Sequence, residues 1–283
     1  MKSYKLSFDI STLCNHQCVF CSNSDKRTIK AQVSKNDFIK VLDNITSYIS
    51  IDKISLSAKG EVLLNKDLEE IIKLCKQSYQ IPYVYFSTNG ALLDEKRTNT
   101  LLQSGVDSIK FSINAVNKDS YKAIHSQDDF EKVIHNLHYF LKKKEAYSSN
   151  IKVFISIVSE QTKEEIIHNF KILFGADYAL IDDIFVYMLQ YTPKYDLSEE
   201  SIVDSKNCLI SPFTEIYVNS DCTLGFCCKD YFDEINFGSL LEKDFMELYN
   251  HPDYKRIRQR FIENSFEKDS LCYKCLAFEG LKK

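Results

Sequence analysis

Short apolar runs alternate with amphipathic segments over roughly the first 190 residues of the chain. The runs are rich in Ile, Val, Phe and Tyr, which is the composition of buried strands. Helical patterns lie between the runs, so the sequence predicts a parallel α/β sheet that is either open or curled into a barrel. The six predicted strands are Lys5–Ile10, Lys53–Ser57, Tyr83–Ser87, Ser108–Ile113, Lys152–Val158 and Ile184–Leu189.

Several of the helices between these strands have recognisable ends. Ser34 is followed three residues later by Asp37, and Thr162 by Glu165, so each pair predicts a helix start, the second as a capping box. Gly105 and Gly175 lie where a helix is expected to end in a left-handed residue.

The pattern changes after Tyr191. Residues 192–207 are polar with one proline and predict a connector. The stretch SPFTEIYVNSDCTLGFCCKD then predicts two short strands around an Asn-Ser-Asp turn, and a helix is expected near Lys243–Phe261. The sequence therefore predicts an α/β domain over residues 1–191, a connector over 192–207 and a small cysteine-rich module over 208–283.

Composition narrows the classes of function. The 283 residues are 44% hydrophobic with a net charge of −4, so no general attraction to nucleic acid or anionic membranes is expected. No apolar run approaches the roughly 20 residues of a membrane span, and the first residues read as a strand rather than a signal peptide. We therefore expect a cytoplasmic protein. Ten cysteines in that compartment indicate metal or cluster ligation rather than disulfides.

Three of these cysteines lie in the stretch CNHQCVFCS, directly after the first predicted strand. In parallel α/β barrels that end of the strands carries the active site. A zinc site would need a fourth ligand, and His16 lies too close between Cys14 and Cys18, so it is expected to be a loop histidine. Three thiolates also suit an iron–sulfur cluster that leaves one iron open.

The spacing Cys14-x3-Cys18-x-Phe20-Cys21, with an aromatic before the third cysteine, resembles the signature of the radical S-adenosylmethionine (SAM) enzymes. The resemblance implies a four-iron four-sulfur cluster whose open iron chelates the amino and carboxylate groups of SAM. It further implies reductive cleavage of SAM to a 5′-deoxyadenosyl radical that abstracts a substrate hydrogen, with a flavodoxin- or ferredoxin-type protein as reductant.

Segments at the ends of later strands extend this resemblance. Lys59-Gly60-Glu61-Val62 resembles a Gly-Gly-Glu-Pro motif in which Lys and Val replace the first glycine and the proline, and Ser87-Thr88-Asn89-Gly90 resembles a Thr-Asn-Gly turn. The resemblance spans about residues 5 to 190 and implies a partial (β/α)6 barrel similar to a TIM barrel. The SAM contacts that it implies are Phe20, Gly60, Glu61, Asn89, Ser112, Asn114 and Val158.

The C-terminal cysteines resemble an auxiliary-cluster module, called SPASM in its longer form and twitch in its shorter one. The resemblance rests on Cys208-Leu-Ile-Ser-Pro-Phe, the hairpin, Cys227-Cys228-Lys-Asp, Asn236-Phe-Gly-Ser-Leu and the final Cys-x2-Cys. It implies a twitch with a single four-iron four-sulfur cluster held by Cys208, Cys227, Cys272 and Cys275. Structural zinc is the alternative for such a module.

The remaining cysteines are assigned other places. Cys222 occupies a turn position and is expected not to bind the cluster, whereas Cys228 is the rival of its neighbour Cys227. Cys75 lies on a predicted helix face and is expected in the core.

The combination of barrel and twitch resembles the 2-deoxy-scyllo-inosamine dehydrogenase family. It implies oxidation of a secondary alcohol, such as a sugar or cyclitol, to a ketone, with the auxiliary cluster accepting the second electron. Tyr187, Gln190 and Tyr191 are the nearby polar candidates for the group that handles the hydroxyl proton, although the Gln190 amide is no proton acceptor.

Two other functions stay open at this point. One is a peptide-modifying maturase that forms a thioether, a carbon–carbon link or an epimer, for which Cys14 leaves little preceding chain to recognise a peptide. The other is a non-catalytic zinc or electron-transfer protein, in which Glu61 and Ser112 would have no purpose.

Overall fold

A computed structural model describes residues 3–21, 30–187, 203–208, 210, 212–230 and 232–280, without the side chains of 278–280. Each predicted strand of the N-terminal domain is present, and neighbouring strands pair in parallel in chain order. The last two residues of the sixth predicted strand, 188–189, lie outside the described residues. This confirms the α/β prediction and agrees with a partial barrel. The strands are β1 (Ser3–Phe8), β2 (Ser50–Ser55), β3 (Tyr83–Thr88), β4 (Ser108–Ser112), β5 (Lys152–Val158) and β6 (Asp183–Tyr187).

Helices connect these strands and continue into the C-terminal region. The hydroxyl of Ser34 accepts a hydrogen bond from the backbone N–H of Asp37, and Thr162 with Glu165 forms both bonds of a capping box, as predicted. The helices are α1 (Lys35–Thr46), α2 (Leu68–Lys73), α3 (Glu95–Leu102), α4 (Lys118–His125), α5 (Phe130–Ala146), α6 (Lys163–Phe174), α7 (Phe245–Tyr249), α8 (Pro252–Glu263) and α9 (Leu271–Gly280).

The strand residues divide between two faces because successive side chains of a strand point to opposite sides. Large apolar residues such as Leu6, Ile54 and Phe111 are fully buried in the hydrophobic core. The other face carries mainly small polar residues, which leave the interior of the barrel open. The strand residues that line this interior include Ser7, Ser55, Ser87, Lys110, Ser112 and Ser156.

The C-terminal module continues the barrel sheet. Strand β7 (Glu215–Val218) pairs in parallel with β1, and β8 (Thr223–Gly225) then pairs with β7 as the predicted antiparallel hairpin. A further strand, β9 (Asn236–Ser239), extends the sheet and was not predicted. Within the described ranges, the nine strands form one sheet in the order β6-β5-β4-β3-β2-β1-β7-β8-β9.

One predicted element is wrong. The single helix expected near Lys243–Phe261 is two helices, α7 and α8, which meet at Asn250 and His251. Pro252 has no backbone N–H to continue the first helix, but its fixed φ suits the first position of the next one. No helix in the described part of the chain is long and apolar enough to cross a membrane.

Candidate active site

A cavity of about 510 Å³ opens at the carboxyl ends of the parallel strands. It brings together two groups of residues that lie far apart in the sequence. Cys14, Cys18 and Cys21 line it, and so do all seven predicted SAM contacts, Phe20, Gly60, Glu61, Asn89, Ser112, Asn114 and Val158. Tyr187 also lines this cavity, whereas Gln190 and Tyr191 lie outside the described residues.

The cysteine loop is held by contacts at its base. The backbone N–H of Cys21 donates to the carbonyl of Cys18 at 3.0 Å, which turns the second and third cysteines toward each other. Burial and the neighbouring thiols raise the pKa of Cys18 to about 12. A cation would be needed to convert such a group of thiols to thiolates, as a metal centre does.

His16 is a loop residue, as predicted, but it is buried. Its Nδ1 lies 3.1 Å from Nδ1 of His125, and its Nε2 lies 3.2 Å from a carboxylate oxygen of Asp129. Nδ1 of His125 is also 3.3 Å from Sγ of Cys18, so the second cysteine contacts a buried pair of histidines. Burial lowers the pKa of His125 to about 4, which keeps its imidazole neutral at neutral pH.

Gly60 lies where the loop after β2 crosses the cysteine loop. A Cβ at this position would lie 2.2 Å from the carbonyl oxygen of Ser11 and 2.7 Å from that of Leu13. The next N–H, of Glu61, donates to the same Leu13 carbonyl at 2.8 Å. Glycine is therefore required for the two loops to touch.

The buried carboxylate of Glu61 joins its own loop to the Thr-Asn-Gly turn after β3. Its Oε1 accepts hydrogen bonds from the N–H of Leu63 at 2.9 Å and the hydroxyl of Thr88 at 2.7 Å, and its Oε2 accepts from the N–H of Asn89 at 2.7 Å. An ionised carboxylate has about four acceptor positions, so one remains for a ligand ammonium group. Burial raises the pKa of Glu61 and these hydrogen bonds oppose that shift.

Lys59 explains the main departure from the family pattern at this loop. Its ammonium group pairs with the carboxylate of Asp233 in the C-terminal module, and both side chains are buried. It also lies 5.1 Å from the ring centroid of Tyr217. The residue that replaces the first glycine of the motif thus ties the barrel loop to the module.

A second, apolar cavity lies in the module. It is lined by all four predicted auxiliary ligands, Cys208, Cys227, Cys272 and Cys275. Phe226, Phe261 and Leu276 form much of its wall, and burial raises the pKa of Cys272 to about 12.

The other three cysteines lie elsewhere. Cys228 lines the barrel cavity rather than the module cavity, so the geometry favours Cys227 as the ligand of the pair. Cys222 is buried in the hairpin turn with φ of 64°, outside the residues that line either cavity. Cys75 is fully buried in the core, as predicted.

Two family models match the segments of the chain that carry the cysteines of the two cavities. Residues 9–173 match the model described as the radical SAM superfamily, and residues 208–276 match the SPASM model, described as an iron–sulfur cluster-binding domain. The chain belongs to the radical SAM superfamily. The first match covers the cysteine loop and the strands that carry the predicted SAM contacts, and the second covers the four cysteines of the module.

Curated relatives of this radical SAM protein match only part of their own length. The GTP 3′,8-cyclase of Chlorobaculum tepidum is 27% identical over 124 residues, which is 44% of this chain and 37% of the relative. The probable GTP 3′,8-cyclase of Saccharolobus solfataricus is 32% identical over 133 residues, 47% of this chain and 42% of the relative. The chain thus spans about two fifths of the length of these relatives.

Solved structures resemble nearly the whole chain at low identity. BtrN in complex with AdoMet and 2-DOIA, a 2-deoxy-scyllo-inosamine dehydrogenase, has a TM-score of 0.62 at 16% identity and covers 97% of this chain and 93% of its own. Streptococcus suis SuiB bound to S-adenosylmethionine has a TM-score of 0.67 at 17% identity, and the match covers 99% of this chain and 72% of SuiB. The structure of anSMEcpe with bound AdoMet has a TM-score of 0.67 at 13% identity, and the match covers 99% of this chain and 96% of that one. These likenesses show the fold.

Membership of this superfamily makes the chain an enzyme and implies SAM, a SAM-binding four-iron four-sulfur cluster and an auxiliary cluster. The donor chemistry of the two cavities fits these groups. Three thiols at the mouth of the barrel can ligate three irons of a cluster and leave the fourth iron open. Four thiols in the module can ligate all four irons of a second cluster. Cys14, Cys18 and Cys21 would hold the first group, and the four module cysteines the second.

Three residues of the site escaped the sequence interpretation. Lys110 lies two residues before Ser112 on the same face of β4, so the period of two along a strand would have found it. Cys228 was recognised only as a rival ligand. His125 ends α4, and no local pattern indicates that its ring reaches Cys18.

Proposed function

We propose that this radical SAM enzyme oxidises a small-molecule alcohol, such as a sugar or cyclitol, to the ketone in two one-electron steps. The observation that carries this proposal is the wall between the two cavities. Cys227 lines the module cavity, the next residue Cys228 lines the barrel cavity, and Lys229 lines both. An acceptor held by Cys227 would therefore lie beside a substrate in the barrel.

The bound cofactors would supply a carbon-centred radical that abstracts a substrate hydrogen at the barrel site, and a one-electron acceptor at the module site. The protein contributes the arrangement around them. Asn89 donates from its side-chain amide to Asn15 in the cysteine loop at 2.9 Å, so the Thr-Asn-Gly turn and the cysteine loop are fixed to each other. Asn114 is buried with φ of 55°, which turns the chain at the end of β4.

The remaining requirement is a group that removes the hydroxyl proton of the substrate. Burial raises the pKa of Tyr187, so its phenol is neutral at neutral pH and suits donation of a hydrogen bond better than proton removal. A tyrosine phenol is in general neutral at neutral pH and the Gln190 amide does not titrate, so neither Tyr191 nor Gln190 is a better proton acceptor, and the base is not assigned to any of the three.

The alternative is a peptide-modifying maturase. It is supported by the likeness in fold to SuiB bound to precursor peptide SuiA and to anSMEcpe with bound AdoMet and Cp18Cys peptide. Deuterium transfer distinguishes the two functions. A carbon-deuterated cyclitol or sugar should label 5′-deoxyadenosine if the enzyme oxidises alcohols, whereas labelling only by a deuterated peptide would favour the maturase.

The proposal is tested by anaerobic reconstitution of the wild type and three cysteine variants. The wild type should bind about eight irons, four per cluster, and Cys18→Ala and Cys272→Ala about four each. Cys18→Ala should lose reductive SAM cleavage to 5′-deoxyadenosine. Cys272→Ala should keep that cleavage but lose turnover of substrate, because only the acceptor site is damaged.

Cys222→Ala is the matched control, since this thiol lies in the same module but outside its cavity. It should bind about eight irons and cleave SAM like the wild type. Stoichiometric zinc in place of iron, or full substrate turnover by Cys272→Ala, would contradict the proposal.

A further inference from the structure

Four lysines line the barrel cavity, Lys5, Lys59, Lys110 and Lys229. Lys229 lies in the wall shared with the module cavity, and Lys5 and Lys59 each have a carboxylate partner. Nζ of Lys5 lies 2.8 Å from Oε1 of Glu215 on the neighbouring strand β7. Lys59 forms the buried pair with Asp233. The charge of these two lysines is therefore balanced within the protein.

Lys110 differs from both. Among the described residues, its ammonium group has no carboxylate or hydrogen-bond partner, and it lies 5.9 Å from the ring centroid of Tyr187. Burial lowers the pKa of Lys110, because the cavity wall removes water from the ammonium group. The neighbours of this ammonium group are the Tyr187 ring and the Cys228 thiol rather than a carboxylate, so a bound anion would compensate its charge.

The position of Lys110 is suited to a second ligand beside SAM. It lies two residues before Ser112 on the same face of β4, about 6–7 Å further from the strand end. Its register partner on β3 is Ser87, and Ser156 on β5 is the register partner of Ser112. These serines line the cavity, where the Ser156 hydroxyl donates to that of Ser112 at 3.4 Å and the Ser87 hydroxyl can donate to an oxygen atom of a second ligand.

We propose that Lys110 binds the carboxylate or phosphate group of a small anionic substrate. This inference rests on the proposed function, because it places the substrate in the same cavity as SAM. The ammonium group and the surrounding hydroxyls match the oxygen acceptors of such a group. A substrate with an ammonium group near Lys110, such as an aminocyclitol, would be repelled by the like charge.

The experiment measures anion binding by calorimetry on reconstituted protein at saturating SAM, with inorganic phosphate and malonate as probes. At least one probe should bind the wild type, and Lys110→Met and Lys110→Gln should weaken it about tenfold or more. Lys110→Arg should stay within about threefold, because it keeps the charge. Lys152→Met, an exposed lysine on β5, is the matched control and should bind like the wild type.

Three results would overturn the inference. One is the absence of any anion binding to the wild type, and another is equal binding by Lys110→Met and Lys152→Met. The third is loss of phosphate binding as SAM is added, which would mean that Lys110 faces the carboxylate of SAM instead. Circular dichroism melting of each variant separates a failure to fold from a loss of binding.

An assay of 5′-deoxyadenosine formation shows whether a negative result contradicts this inference or the proposed function. SAM cleavage without anion binding at Lys110 would leave the radical enzyme intact and remove only the substrate class. Anion binding at Lys110 without SAM cleavage by fully loaded protein would overturn the proposed function instead.

Discussion

Single residues decide whether the loops of the site can meet. Gly60 touches the backbone of the cysteine loop, and the adjacent Glu61 fixes the Thr-Asn-Gly turn through its carboxylate. These contacts join the ends of β1, β2 and β3 before any cofactor binds. The predicted SAM site is therefore largely formed by hydrogen bonds within the protein.

Gly60→Ala should damage this arrangement. The added Cβ would meet backbone carbonyls that cannot rotate away, so the loops must separate, at a cost of about 1–3 kcal/mol in unfolding free energy. We expect a lower melting temperature and weaker SAM binding, measured by calorimetry after reconstitution.

Gly175→Ala is the control for backbone strain alone. Unlike Gly60, this glycine has a positive φ, of 53°, and nothing lies within 4 Å of an added Cβ. It should lower stability by about 1–2 kcal/mol and leave SAM binding unchanged. Wild-type stability and SAM affinity in Gly60→Ala would show that the loops are not in contact as described.

At the scale of elements, helix α1 of the barrel holds helix α7 of the module. The side-chain amide of Asn44 donates to the carbonyls of Leu240 at 2.9 Å and Lys243 at 2.8 Å. Its oxygen accepts from the N–H of Phe245 at 2.8 Å, in the first turn of α7. One side chain thus satisfies the first N–H of a helix that is only five residues long and two carbonyls of the turn before it.

Asn44→Ala should loosen this contact. Three hydrogen bonds are lost at a partly exposed site, where water replaces some of them, so unfolding free energy should fall by about 1–3 kcal/mol. Urea denaturation measures the loss, and hydrogen exchange should increase in residues 236–250. Lys40→Ala, one turn earlier on the exposed face of α1, should have little effect, and equal effects of the two changes would refute this role of Asn44.

The sequence predicted elements well where the periodicity was strong. The six barrel strands and the hairpin follow from apolar runs and a turn signal, and Thr162 with Glu165 marked a helix start correctly. The sequence did not predict β9, since a four-residue strand containing Gly238 has no clear pattern. The predicted helix near Lys243–Phe261 was wrong because Pro252 begins a second helix. The sequence also did not predict the pairing of Lys59 with Asp233, because 174 residues separate the two in the chain.

At the scale of the whole molecule, β1 is an interior strand because β7 covers its edge. The N–H of Lys5 donates to the carbonyl of Thr214, and that of Asp9 to the carbonyl of Val218, both at 2.9 Å. Without the module, β1 would present unpaired backbone groups beside buried apolar residues such as Leu6 and Phe8.

A chain truncated after residue 202 should therefore associate. We expect oligomers or aggregates by size-exclusion chromatography and faster hydrogen exchange in β1 than in the full chain. Full-length Cys272→Ala is the control, because it removes a predicted cluster ligand but keeps β7. A monomeric truncated protein with a protected β1 would show that the barrel does not depend on the module.

In the proposed function, the pairing of β1 with β7 would also set the distance that an electron travels from the substrate to the module site. The cysteine loop leaves the end of β1, and Cys227 follows the hairpin that begins with β7. Neighbouring strands lie about 4.8 Å apart and are held by a ladder of backbone hydrogen bonds. The barrel cavity and the module cavity are thus held by one sheet, and in the proposed function the rate of electron transfer from substrate to acceptor should not depend on motion between domains.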